Sequence, residues 1–285
     1  MQFIELMRNV GHQLINGLAR IGQYRVTLNI PFDQDPRQQL DYYQSQARQP
    51  GLTSSAGMRP LILFIYGGAW QQGDKRQFRF VADTLCALGC DVVVTNYRLY
   101  PQVRFQQMVM DVVQAGRWIA ENTPPQQPVY IMGHSAGAHL GSLLCLDRGL
   151  LSQAANLEAR LKGFIGMAGP YDYFPYTEDA HWDLFGPAAN YPSSRTINFV
   201  RADCPPLYLL HGEADTRVRR GHSKSLMEKT LAVGGIANRR VYANMGHVDI
   251  IVEFSVFHRR NSLVIRDIAE FIFEPHRANS QPEVD

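Results

Sequence analysis

Five short, continuously apolar runs recur along the chain, and their spacing constrains the fold more than any other feature. Helix-length amphipathic segments separate them. A strand covered by helices on both faces is apolar throughout, whereas a strand with one wet face alternates. The pattern therefore predicts an α/β fold, a mostly parallel central sheet with helices on both faces. The runs are Leu61–Tyr66, Val92–Thr95, Val129–Met132, Phe164–Ala168 and Leu207–Leu210, and the helical segments are Arg76–Leu88, Phe105–Asn122, Ala136–Leu146 and Gly221–Val233.

Other segments complete the predicted organisation. Tyr24–Ile30 and Leu40–Gln46 alternate in polarity as two antiparallel strands do. After a last strand at Arg239–Ala243, the stretch Ile250–Phe273 predicts one long helix. An aromatic stretch rich in Pro and Gly has no period, which indicates a lid or pocket wall. The predicted bounds are 1–22 for an N-terminal amphipathic helix, 23–275 for the α/β domain, 171–205 for the lid and 276–285 for a polar tail.

Composition excludes several classes of function. The chain has 28 Lys and Arg against 26 Asp and Glu, and a net charge of +2 is too mild to predict a nucleic-acid partner. No apolar run approaches the roughly 18 residues that an integral membrane span needs. Four cysteines without a C-x-x-C pair or histidine at zinc spacing predict free thiols, no metal site and a cytoplasmic location. The oligomeric state is left open, with a homodimer as one alternative.

The run Gly133-His134-Ser135-Ala136-Gly137 matches G-x-S-x-G and carries the main functional prediction. A predicted strand precedes it and a predicted helix follows it. This strand–turn–helix resembles the nucleophile elbow of α/β hydrolases, in which a strained turn exposes the serine hydroxyl. Ser135 is therefore the predicted nucleophile.

In α/β hydrolases the acid and then the base follow the serine along the chain. Asp215, in the loop after the strand Leu207–Leu210, is the predicted acid, with Glu213 as the alternative. His247 follows the last strand and is the predicted base, which takes the serine proton while the acid holds its tautomer.

An oxyanion hole needs backbone N–H groups aimed at the substrate carbonyl oxygen. Adjacent glycines after the first apolar run permit such a turn, and the residue after the serine supplies a further donor. The predicted donors are the N–H groups of Gly68, Ala69 and Ala136.

Taken together, the chain resembles the carboxylesterase-type α/β hydrolases with an H-G-G-x-W oxyanion loop, a group that includes hormone-sensitive-lipase-like and feruloyl-esterase-like esterases, prenylcysteine methylesterases and arylformamidases. The resemblance implies hydrolysis of small carboxylic esters through an acyl-serine intermediate, with no cofactor. Tyr66 stands where this group usually has His, and Asn96 where it often has Asp. The residues that carry the resemblance are Gly67–Trp70, Asn96–Pro101, the elbow, Asp215–Val218 and Gly246–His247.

Two alternatives stay open beside a serine esterase. One is an aryl-amide hydrolase similar to a formylkynurenine formamidase, and the other is an inactive binding protein on the same fold. Aromatic residues in the lid predict a small-molecule substrate with an aryl or a short-to-medium acyl group. The predicted substrate-binding residues are Trp70, His134, Tyr171 and Trp182. Among the other histidines, His139 is predicted to pack, His211 to orient its loop and His222 to lie on a helix surface.

Overall fold

A sheet of eight strands forms the core of the protein. The computed structural model describes residues 16–17, 22–47, 57–176 and 178–274. The predicted tail over 276–285 and most of the predicted helix over 1–22 lie outside these residues. The strands are β1 (Tyr24–Pro31), β2 (Gln39–Ser45), β3 (Leu61–Ile65), β4 (Asp91–Thr95), β5 (Val129–His134), β6 (Leu161–Met167), β7 (Leu207–Gly212) and β8 (Ala237–Tyr242).

The sheet is antiparallel at one edge and parallel elsewhere, in the order β1-β2-β4-β3-β5-β6-β7-β8. β1 pairs antiparallel with β2, and β2 pairs antiparallel with β4. The remaining pairs are parallel, which confirms the predicted α/β-hydrolase fold. The strand order reverses at β3, so the carboxyl ends of β3 and β5 lie side by side, with Ile65 opposite Gly133. Sheets of this type open a ligand crevice at such a point.

Helices and full burial explain the apolar composition of the central strands. Every residue of β3, β4, β5 and β7 is buried, and a fully buried Leu, Ile or Val side chain stabilises the fold by about 1.5–3 kcal/mol. The helices are α1 (Arg79–Ala87), α2 (Phe105–Asn122), α3 (Ala136–Leu146), α4 (Arg148–Gln153), α5 (Leu157–Arg160), α6 (Asp179–Phe185), α7 (Tyr191–Ser194), α8 (Gly221–Ala232), α9 (Asp249–Val252) and α10 (Leu263–Phe273).

The prediction of one helix over Ile250–Phe273 is wrong, because the chain leaves the helical path after α9 and starts again at α10. The hydroxyl of Ser262 accepts a hydrogen bond from the N–H of Ile265 at 3.2 Å, which caps the new helix. Before it, the carbonyl of Phe254 accepts a 2.6 Å hydrogen bond from the hydroxyl of Thr84 in α1. A tertiary contact thus binds a carbonyl that a continuous helix would have used internally.

Residues 171–176 and 178–205 include α6, α7 and two short 3-10 helices and add no strand to the sheet. α6 packs against α2, and the second 3-10 helix (Thr196–Phe199) packs against α3. Nε2 of His139 donates to the carbonyl of Ser194 at 2.5 Å, and the hydroxyls of Ser142 and Thr196 lie 2.8 Å apart. Both α3 side chains in these bonds are buried. The segment is therefore fastened to the helix that begins directly after Ser135.

Candidate active site

Ser135 occupies the turn between β5 and α3 in a strained backbone conformation. Its φ is 53° and its ψ is −123°, a combination that costs energy for any residue with a Cβ. The motif glycines have steric reasons: a Cβ on Gly137 would lie 2.1 Å from the carbonyl oxygen of Ile65, and one on Gly133 would lie 2.5 Å from the nitrogen of Ala138. Strand, turn and helix backbones can approach this closely only without those side chains.

A continuous line of hydrogen bonds joins Ser135, His247 and Asp215. Oγ of Ser135 lies 2.8 Å from Nε2 of His247, and Nδ1 of His247 lies 2.8 Å from Oδ2 of Asp215. An ionised carboxylate only accepts, so the ring hydrogen is assigned to Nδ1. Nε2 is then the acceptor for the serine hydroxyl, as proton abstraction requires.

The carboxylate of Asp215 is fully buried and charged. Its Oδ1 accepts hydrogen bonds from the N–H groups of Arg217 at 2.9 Å and Val218 at 3.0 Å. Burial by itself would raise the pKa of Asp215, but the hydrogen bonds from His211, His247 and the backbone hold this pKa well below its ordinary value. The alternative acid, Glu213, is half exposed and lies 4.0 Å from Arg220.

The loop after β3 lies against Ser135. A Cβ on Gly67 would lie 2.8 Å from the Cβ of Ser135. Ala69 and Trp70 have φ values of 51° and 61°, so two consecutive non-glycine residues adopt the left-handed conformation. This strained turn and the start of α3 at Ala136 bring the predicted oxyanion donors to the same edge of the sheet.

Tyr66 and Asn96, the two departures from the family pattern, contact each other. The hydroxyl of Tyr66 donates to Oδ1 of Asn96 at 2.8 Å and accepts from Nη2 of Arg37 at 2.9 Å. Arg37 also donates to the carbonyls of Tyr97, at 2.8 Å, and Gly73. A guanidinium from the turn between β1 and β2 thus connects both ends of the oxyanion loop with the loop after β4. Sequence analysis did not identify Arg37, because a turn arginine is usually solvated.

Two further histidines contact the hydrogen-bonded line: His134 contacts His247, and His211 contacts Asp215. Nε2 of His134 lies 2.9 Å from the carbonyl of His247 and donates to it. Burial and the neighbouring His247 lower the pKa of His134 to about 3, so its ring is neutral. Nε2 of His211 lies 2.9 Å from the carbonyl of Val218 and 3.3 Å from Oδ2 of Asp215.

Of the predicted substrate-binding residues, Trp182 is the most accessible, with 38% exposure. Trp70 is buried among aromatic rings, and its centroid lies 5.1 Å from that of Phe185. The expectation for Tyr171 needs correction, because its ring is fully buried beside Phe164 at a centroid distance of 6.2 Å. A substrate cannot reach it without disrupting the core.

Outside the predicted site, one further expectation fails. His222 is half-buried and not a surface residue, and its Nδ1 accepts a 3.3 Å hydrogen bond from the N–H of Asp172. The pKa of His222 is lowered by burial. Its ring lies edge-on to Tyr173, with centroids 6.2 Å apart. Tyr173 in turn stacks beside Trp70 at 6.2 Å, so aromatic rings bridge the acid side and the oxyanion side of the site.

In the ranges that the structure describes, no group of three or more His, Cys, Asp or Glu side chains has the arrangement of a metal site. Within the same ranges, no helix has both the length and the apolar character that crossing a bilayer demands.

Comparisons with known proteins find a matching family model, related sequences and similar solved structures. A family model described as BD-FAE matches residues 52–230. Isoprenylcysteine alpha-carbonyl methylesterase of Arabidopsis thaliana is 23% identical over 255 residues, covering 80% of this chain and 58% of that protein. Kynurenine formamidase of Salmo salar is 28% identical over 166 residues, covering 58% of this chain and 51% of that protein. The chain thus spans less than two thirds of either relative.

Among solved structures, esterase B of Lactobacillus rhamnosis with a tributyrin phosphonate inhibitor has a TM-score of 0.75. It is 20% identical in sequence, and the alignment covers 99% of this chain and 97% of that chain. At this identity the likeness shows a shared fold.

Proposed function

The chain belongs to the BD-FAE family, and we propose that it is a serine hydrolase of carboxylic esters. One observation carries the proposal: the 2.8 Å contacts that run from Ser135 through His247 to Asp215. A nucleophile, a base that accepts its proton and an acid that orients the base are the parts that acyl transfer needs.

In the proposed mechanism, Oγ of Ser135 attacks the ester carbonyl carbon while Nε2 of His247 takes the hydroxyl proton. Asp215 stabilises the resulting imidazolium, and the N–H groups of Gly68, Ala69 and Ala136 bind the oxyanion. Collapse of the tetrahedral intermediate breaks the bond to the alcohol, which leaves with the proton from His247. Water then attacks the acyl-serine by the same steps and releases the acid. No cofactor takes part.

The replacement Ser135→Ala tests this proposal. We expect it to lower kcat/KM for short p-nitrophenyl esters by at least about 1,000-fold, because only oxyanion binding and positioning remain. A fluorophosphonate probe should label the wild-type protein and leave the folded Ser135→Ala variant unlabelled. Wild-type protein that resists the probe would favour an inactive binding protein, and near-normal turnover by Ser135→Ala would exclude Ser135 as the nucleophile.

Hydrolysis of an aryl formamide is the second candidate. The aromatic rings of Trp70 and Tyr173 beside the site favour an aryl group, and the salmon relative is named a kynurenine formamidase. A panel that pairs aryl acetates with aryl formamides of the same ring distinguishes the two activities. A higher kcat/KM for the formamides would replace the ester assignment.

The finer predictions on substrate and location belong to this proposal. Trp70, His134 and Trp182 stay predicted contacts of the substrate, and a homodimer stays a prediction. Cys86, Cys90, Cys145 and Cys204 are free and buried, which supports the proposed cytoplasmic location, since a reducing compartment preserves thiols.

A further inference from the structure

We propose that His211 is a positioning residue that acts on the reaction through Asp215. This inference rests on the proposed function and adds a fourth residue to its machinery. The proposed role of His211 is to hold the acid loop so that Oδ2 of Asp215 faces Nδ1 of His247.

The first support is a closed ring of contacts around Val218. The N–H of Val218 donates to Oδ1 of Asp215 at 3.0 Å. The carbonyl of the same residue accepts from Nε2 of His211 at 2.9 Å, and that nitrogen lies 3.3 Å from Oδ2 of Asp215. Because the three residues constrain one another, the carboxylate cannot rotate without breaking at least one of these contacts.

The second support is the tautomer of His211. Both oxygens that its Nε2 meets are acceptors, so the ring hydrogen is assigned to Nε2. The N–H group at Nε2 donates to the Val218 carbonyl, and its positively polarised hydrogen also lies near Oδ2 of Asp215. Oδ1 receives two backbone N–H groups, and Oδ2 receives His247 and His211, so neither carboxylate oxygen depends on one donor.

The third support is burial. The side chains of His211 and Asp215 are both 0% exposed, and a buried charge requires nearby donors. Nδ1 of His211 is buried and makes no hydrogen bond within the described part of the chain. An apolar residue at this position would bury no such nitrogen. The donor at Nε2 is what distinguishes histidine from such a residue here.

His211 does not itself exchange protons with the substrate in this proposal. Its ring is enclosed at the end of β7, and the hydroxyl of Ser135 contacts His247. His211 therefore affects the reacting atoms only through Asp215. The loss of kcat that follows replacement of His211 must disappear in a variant that lacks the Asp215 carboxylate.

Three single variants of the full chain test the proposal. A glutamine amide reaches about as far as Nε2 of histidine, whereas an asparagine amide ends near Nδ1, so His211→Gln and His211→Asn form a matched polar pair. We expect His211→Asn and His211→Leu to lower kcat for a p-nitrophenyl ester by up to about 100-fold, the effect of a misplacement near 1 Å. KM should change little, and His211→Gln should restore most of kcat.

The same replacements in an Asp215→Asn background provide the decisive comparison. We expect His211→Asn to cause little further loss of kcat there, because residues that act as one unit are not additive. Urea unfolding of each variant establishes that it is folded under the assay conditions, so kcat refers to native protein. If His211→Leu does not fold, the Gln and Asn pair still decides the matter.

Three outcomes would overturn the role of His211: wild-type kcat in folded His211→Asn, no rescue by folded His211→Gln, or an equal loss in both backgrounds. Ser135→Ala distinguishes them from a failure of the proposed function: it would retain turnover if the proposed function were wrong, and it stays inactive if only the role of His211 is wrong.

Discussion

Tyr66 illustrates how a single side chain can replace a different residue type by recruiting new partners. Its hydroxyl binds Asn96 and Arg37, and its ring stacks on Phe78 with centroids 5.1 Å apart and planes within 4°. The longer side chain thus reaches a polar cluster behind the oxyanion loop. Burial raises the pKa of Tyr66 above its ordinary value, so the phenol keeps its proton and can donate.

We expect Tyr66→Phe to weaken this support and to lower kcat. The ring and its stacking remain, but Asn96 and Arg37 each lose a partner, at a cost of about 1–3 kcal/mol in the free energy of unfolding. The loss in kcat should be about 10-fold, smaller than the roughly 100-fold loss that follows removal of an oxyanion donor. Steady-state kinetics and urea unfolding measure the two effects.

Tyr130→Phe is the matched control for that variant. Tyr130 is also buried and donates to the carbonyl of Ile272 at 3.1 Å, at the other end of the sheet. The Tyr130→Phe variant should have a lower free energy of unfolding and an unchanged kcat. Equal effects of both variants on kcat would contradict a specific role for Tyr66 in the oxyanion loop.

Among the secondary-structure elements, the sequence predicted correctly the helices whose bounds depend on a local pattern. The predicted bounds of α2 and α3 agree with the structure. Amphipathic spacing defines α2, whereas α3 is buried on all sides and is defined by the turn at Ser135 before it. The break between α9 and α10 was missed because Thr84, far away in the chain, binds the carbonyl of Phe254. Residues 171–205 gave no pattern because their short helices depend on contacts with α3.

We expect Gly137→Ala to disrupt the junction of β3, the elbow and α3. Its Cβ would meet two backbone oxygens, at 2.1 Å from Ile65 and 2.4 Å from Tyr66, and backbone cannot move aside as a side chain can. The free energy of unfolding should fall by more than the roughly 1–3 kcal/mol of ordinary overpacking. Urea unfolding of the purified variant measures the loss.

Gly141→Ala in the same helix is the control. Its Cβ would meet only side-chain atoms, Cγ2 of Ile131 at 3.0 Å, Cδ1 of Ile65 at 3.1 Å and the ring of Phe164 at 3.4 Å, which can shift more easily than backbone. The higher helix propensity of alanine, about 1 kcal/mol, offsets part of that crowding. A Gly137→Ala variant as stable as Gly141→Ala would show that the elbow can relax.

For the whole molecule, topology collects residues that no local pattern connects. Loops after β3, β5, β7 and β8 meet at one edge of the sheet, so the order of Ser135, Asp215 and His247 was enough to suggest their proximity. Arg37 comes from the antiparallel edge, and its role depends on the packing of two loops. The sequence could suggest the reacting groups but not the groups that hold them, since those bonds arise only when the sheet is assembled.

Buried neutral histidines predict that the folded protein loses stability in acid. Burial lowers the pKa of His139 from its ordinary 6.5 to about 4, and burial with His247 nearby lowers the pKa of His134 to about 3. Between pH 6.5 and about 4 the unfolded chain therefore binds protons that the folded chain does not. Stability should fall as pH falls through this window, by up to about 1.4 kcal/mol per pH unit for each histidine.

His139→Gln should flatten this dependence, because glutamine does not titrate and its amide can still donate to the carbonyl of Ser194. Urea unfolding at several pH values between 4.5 and 7.5 measures the slope in wild type and variant. Parallel curves for the two proteins would contradict a contribution from His139.

The two hydrogen bonds that fasten residues 171–205 to α3 also limit how segments can be exchanged between this protein and its relatives. His139 and Ser142 bind residues of this segment that lie some 50 residues further along the chain. If the segment alone were exchanged with that of a relative, both buried polar groups would face a foreign surface and lose their partners. Residues 171–205 and positions 139 and 142 therefore form one unit. They should be exchanged together in any variant that is designed to change the acyl or aryl preference.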